Sequence, residues 1–132
     1  MTLAPLNAAP LVIQLHAWAA MGAFALGLVQ LVAPKGTLPH RTLGWIWVVL
    51  MAVVAVSAFF IHQIRLIGPW SPIHLFAILV LVLLPLGILR ARRHRVPAHA
   101  KTMIGMFVGG LVVAGLFTFL PGRIMHDVLL AP

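Results

Sequence analysis

Four long apolar stretches, Leu11 to Ala33, Leu43 to Ile61, Ile73 to Leu89 and Met103 to Leu120, leave this sequence little choice of fold. A helix that crosses a bilayer needs about 20 largely apolar residues, with roughly 17 to 25 workable. All four stretches qualify, the third and fourth once their polar flanks are counted. Of the 132 residues, 63% are apolar and 8% charged, a balance that excludes an ordinary soluble core. The sequence predicts an all-α integral membrane protein, a single domain over residues 1–132. Its four transmembrane helices would form a bundle, with spans at about 11–33, 41–63, 72–90 and 99–120. The first stretch does not read as a signal peptide. No Lys or Arg precedes it, and it is longer than a signal core of about 7 to 15 residues.

The breakers agree with these limits. Pro34 ends the first helix, Pro39 and Pro97 suit the opening turns of the second and fourth, and Pro121-Gly122 stops or kinks the fourth. Pro85 falls inside the third helix, where neighbouring helices can re-satisfy the freed carbonyl. Charges collect in the connections. The first carries Lys35 and Arg41, and the third carries Arg90, Arg92, Arg93, Arg95 and Lys101. Only Arg65 and Arg123 lie on the opposite side. The positive-inside rule then puts both termini outside, in a bacterial inner membrane, with anionic headgroups against the basic loops. That placement explains the net charge of +8 without nucleic acid, which is not expected as a partner.

Histidine and arginine recur through the apolar background. His16, His40 and Arg65 are followed by His74, His99 and Arg123, at nearly the same spacing. Such residues are costly in a membrane, so their echo suggests paired ligands on two tandem helical hairpins. Hairpins running in the same direction imply a pseudo-twofold axis along the membrane normal, setting His16 opposite His74 and His40 opposite His99. The first helix aligns His16, Ala20, Ala23, Gly27 and Gln30 on one face, and the second aligns His40, Gly44, Trp47, Met51, Ala58 and His62. Small residues on such a face admit a neighbouring helix or a flat ligand. Met103 and Met106 read as adaptable filler, and Trp18, Trp45, Trp47 and Trp70 as interfacial anchors in part.

Missing residue types narrow the chemistry. Without Cys there are no disulfides, thiolate metal sites, iron–sulfur clusters or covalently attached haem. Asp127 is the sole acidic residue, which removes paired-carboxylate hydrolysis and carboxylate cation cages. Ser71 has no base and acid to activate it, and no phosphate loop or dinucleotide fingerprint is present. His94, within Arg92-Arg93-His94-Arg95, reads as part of a lipid-facing basic loop.

Two facing neutral imidazoles in a helical bundle suit the axial positions of a b-type haem, which needs no attachment motif. His16 with His74, and His40 with His99, are the candidate iron ligands for one or two haems. Arg65 and Arg123 would meet propionates or an anionic substrate, or else serve as snorkelling anchors. His62 and His126 join His16 and His74 on the outer side, where copper or zinc is a further possibility, with Asp127 as an added donor.

The chain also resembles a widespread bacterial family of small four-helix membrane proteins, a domain of unknown function. The resemblance runs from Leu15-His16 to Arg123-Ile124-Met125-His126. It rests on His40-Arg41-Thr42-Leu43-Gly44-Trp45, Ile61-His62-Gln63-Ile64-Arg65, Ser71-Pro72-Ile73-His74-Leu75, His99 with Met103, and Pro121-Gly122-Arg123-Ile124-Met125. Ala100 departs from the pattern where a basic residue is expected, with Lys101 next to it. The resemblance implies a fold and a membrane location but no activity. A looser similarity to four-helix b-type cytochromes is one of architecture.

Three functions follow in order. The first is a haem-binding b-type cytochrome that transfers electrons, with quinone as a partner, acting as an electron-transfer subunit or oxidoreductase. The second is a non-enzymatic subunit of a larger membrane complex or a homo-oligomer, its histidines satisfied by hydrogen bonds. The third is the outer-face copper or zinc site.

Overall fold

The computed structural model of the chain describes residues 1–61 and 72–130. His62, Arg65, Trp70 and Ser71 lie outside the described residues. Four helices are long and apolar enough to cross a membrane: Leu11–Val32, Leu38–Ala58, Ile73–Arg92 and Val96–Phe117. We label the elements α1 (Ala4–Asn7), α2 (Leu11–Val32), α3 (Leu38–Ala58), α4 (Pro72–Arg92), α5 (Val96–Met106), α6 (Ala114–Phe117) and α7 (Ile124–Leu130). A π-helical segment, Phe107–Val113, joins α5 to α6 within the fourth span.

The connections follow from local chemistry. Pro10 caps α2, and Lys35 closes its other end by donating to the carbonyls of Gln30, Leu31 and Ala33. Those are carbonyls that the end of a helix leaves without partners. Gly36 takes φ +74°, and Thr37 then caps α3, its hydroxyl accepting from the His40 amide at 3.3 Å. Pro39 occupies the first turn of α3, where no amide proton is needed, so the helix begins at Leu38. At the other basic connection His94 sits at φ 56°, and Arg95 donates its amide to the Arg90 carbonyl at 2.9 Å. This is a helix end with a left-handed residue that is usually glycine. The fourth span stops at Phe117 because the donor four residues on is Pro121, which has no amide proton.

The spans close into a ring. α2 packs against α3, α3 against α4, α4 against α5, and the π segment returns to α2. In that order α3 and α5 stand diagonally across the ring. The inward faces are the small-residue stripes: Ala23 and Gly27 are buried on α2, and Trp47, Met51 and Ala58 on α3. Trp47 is not an interfacial anchor. It is 4% exposed, and its indole donates to the Ala23 carbonyl at 3.0 Å, clamping α3 to α2. Trp18 and Trp45, half exposed, keep the outward position an anchor needs. Met51 and Met106 are fully buried filler in the same core.

Leu28, Val49, Leu79 and Leu116 point outward from the four spans. In water such a surface would be unfavourable; against lipid tails it is the expected exterior. At the end of the bundle where the chain begins, α1 packs against α7, and the Thr2 amide donates to the Val128 carbonyl at 2.9 Å. Leu6 and Val128 are buried there. We call this the terminal end, and the opposite one the basic end.

Candidate functional site

Polar side chains gather at two depths. At the basic end, His40 on the first turn of α3 and His99 on the first turn of α5 lie within electrostatic range of one another. The His99 Nδ1 donates to the Gly87 carbonyl at 2.8 Å. A backbone carbonyl only accepts, so in the neutral ring the proton is on Nδ1 and the lone pair on Nε2. The His40 Nδ1 is buried with no partner among the described residues, and so is the Gln30 Oε1. Gln30 reaches this corner from α2, its amide nitrogen donating to the His40 carbonyl at 2.9 Å. Buried polar atoms such as these are ordinarily met by a protein group, an ordered water or a ligand.

Arg90 is committed elsewhere. Its Nη1 donates to the Thr102 hydroxyl at 2.7 Å, and that hydroxyl donates to the Ala98 carbonyl at 2.8 Å, tying α4 to α5. Gly87 makes this approach possible, since a Cβ there would lie 2.7 Å from the Met103 Sδ. Lys35 is within electrostatic range of His40, and Arg41 and Lys101 remain exposed at the same end.

At the terminal end the four spans enclose a cavity of about 490 Å³, within the range of small-molecule sites. Small residues create the space: Ala20 on α2, Ala55 and Ala58 on α3, Ala77 on α4, and Gly110 and Gly115 on the fourth span. His16 forms part of the wall. Its Nδ1 lies 3.0 Å from the Val54 carbonyl and 3.0 Å from the Ser57 hydroxyl. Ser57 directs its own proton to the Val53 carbonyl at 2.6 Å, so both groups act as acceptors toward His16. The imidazole proton is therefore on Nδ1, and Nε2 carries a lone pair without a partner among the described residues.

The structure brings the predicted residues together unevenly. His40 and His99 share the basic end. His16 and Arg123 share the cavity wall, whereas His74 is not among its lining residues. His74 is 2% exposed and stacks on Phe59 of the turn after α3, with ring centroids 5.8 Å apart. His126 sits on α7 beside Asp127, with Nδ1 and Oδ1 separated by 3.5 Å. Among the described residues no three His or acidic side chains come together to hold a metal ion, and His62 and Arg65 lie outside them. Three features had no counterpart in the sequence reading: the π segment, the pairing of α1 with α7, and Gln30 as a partner of His40. Gln30 was visible as a polar residue on the inward stripe.

A family profile described as a predicted membrane protein, DUF2306, matches residues 13–126. No curated protein and no solved structure matches the chain.

Proposed function

We propose that this chain, which belongs to the DUF2306 family of predicted membrane proteins, is a b-type membrane cytochrome that carries electrons through a haem held by His40 and His99. One observation carries the reading. These two imidazoles open helices that are diagonal in the bundle, at the same end, and each has a ring nitrogen with no partner among the described residues. The donor chemistry fits. Haem b asks for two neutral nitrogen ligands and no covalent attachment, and the bond from His99 to Gly87 orients its ring as ligating histidines require. Arg41 and Lys101 supply exposed cations near that end for two propionates. When bound, haem supplies one-electron chemistry. The chain's own part is to orient the His99 imidazole through the Gly87 carbonyl, exclude water with Met103 and Met106, and keep the site at the basic face.

On this reading the basic end faces the cytoplasm and both termini lie outside, in a bacterial inner membrane, because seven of the nine basic residues flank it. A reduced-minus-oxidised visible spectrum of the purified chain, made with ample haem, tests the proposal. The expected result is a b-type α band lost in both His40→Ala and His99→Ala; a band untouched by either substitution sinks the assignment.

A second reading, a non-enzymatic subunit of a larger membrane complex, draws on the same His99 to Gly87 bond, which is also what a purely packing histidine would make. A partner retained through mild detergent extraction, with no haem in the complex, would favour it.

A further inference from the structure

The terminal cavity lies at the far end of the bundle from His40 and His99, and its polarity is unlike that of a plain packing defect. Among the described residues that line it, only His16, Thr118 and Arg123 carry nitrogen or oxygen in their side chains. Thr118 spends its proton on the Gly115 carbonyl at 2.6 Å. Among the described lining residues, the polar groups left for a ligand are the His16 imidazole, whose Nδ1 is already engaged, and the Arg123 guanidinium. The pairing is selective. A carboxylate would satisfy Arg123 but set its lone pairs against the lone pair of His16. A hydrocarbon would leave both polar groups unmatched, at the cost of an unsatisfied buried group. A ligand with an O–H donor and an acceptor oxygen on one apolar body matches both.

The rest of the cavity specifies that body. Phe24, Phe76 and Phe117 line it, the last two with ring centroids 6.3 Å apart, and aromatic walls favour a flat ring. The π segment contributes Gly110, Leu111 and Val112 to the same wall. Phe117 and Leu116 also reach the outer surface of the bundle, which gives an apolar tail contact with lipid. We propose that this cavity binds the headgroup of an isoprenoid quinol, one hydroxyl donating to the His16 Nε2 and an oxygen accepting from Arg123. The inference rests on the electron-transfer reading for its physiological sense alone. Binding itself requires no haem.

The test is equilibrium binding of a decyl-chain benzoquinol to the full-length chain in detergent under reducing conditions, beside its di-O-methyl ether. The ether keeps the ring, the tail and the oxygens but has no proton for His16. The expected result is saturable quinol binding at least about tenfold tighter than ether binding, the equivalent of about 1.4 kcal/mol. His16→Leu should remove that preference, and Ala77→Phe should abolish binding by filling the cavity, with the haem spectrum retained in both. Equal binding of quinol and ether to the unmodified chain overturns the proposal without recourse to any variant. So does loss of the haem band in His16→Leu, which would make that imidazole an iron ligand. A chain with no haem that still discriminates quinol from ether would end the haem reading and support this one.

Discussion

Gly27→Ala is the most informative single change in the helix packing. A Cβ at Gly27 would lie 2.5 Å from both Cδ2 and Cε2 of Phe107 and 3.2 Å from the Trp47 Nε1. Carbon atoms pack best at about 3.5–4.0 Å, so the Phe107 ring must withdraw by roughly 1 Å. It has little freedom to do so. The ring is 6% exposed, stacks on Phe24 at 5.5 Å, and stands at the first residue of the π segment. Overpacking of this kind costs about 1–3 kcal/mol, and alanine returns about 0.5–1 kcal/mol of helix preference, leaving a net loss of up to about 2.5 kcal/mol. Gly22→Ala is the internal control. Its Cβ would meet only Leu50 Cδ1, at an ordinary 3.7 Å, so the helix preference acts alone and the variant gains about 0.5–1 kcal/mol. Reversible unfolding in a mixed-micelle denaturant titration, followed by tryptophan fluorescence, measures both. Equal stability of the two variants would refute the packing assigned to Gly27, Phe107 and Trp47.

Other substitutions address separate parts of the bundle. Trp47→Phe removes the indole bond to the Ala23 carbonyl and should cost about 0.5–1.5 kcal/mol in the same titration. Thr102→Val removes the bond from Arg90 Nη1 to the Thr102 hydroxyl, leaving only the longer 3.5 Å bond of Nη1 to the Ala98 carbonyl, and should cost about 0.5–2 kcal/mol, with Arg41→Gln near zero as a surface reference. His94→Gly relieves a left-handed residue at the end of α4 and should raise stability by about 1 kcal/mol, read as a shifted unfolding midpoint. On the proposed haem reading this variant should also leave the visible spectrum unchanged.

How far the sequence could be read depended on the length scale of each feature. The four spans were plain because an apolar run of membrane length has few other fates. The inward faces of α2 and α3 were legible for a related reason: Ala23, Gly27, Met51 and Ala58 recur at helical spacing, and each is buried. Trp47 fell on that inward face and also read as a partial anchor; its bond to the Ala23 carbonyl decides for the inward role. The meeting of His40 and His99 followed from topology, since both open their helices on the basic side. The contrast between His16 and His74 did not, because it depends on how each helix is rotated about its own axis. The π segment was not legible either, because Phe107–Val113 carries no signal beyond a glycine pair. α7 was invisible for another reason. A seven-residue helix has too little intrinsic stability to announce itself and forms by docking on α1.

The measurement that tests the central claim most directly is the haem-to-chain ratio of the protein purified after expression with ample haem, together with that of His40→Ala and His99→Ala. The account predicts about one haem b per chain, with the two-nitrogen ligand set of two neutral imidazoles, falling toward zero in both variants. A well-folded chain that contains no haem, or a ratio left unchanged by both substitutions, would contradict it.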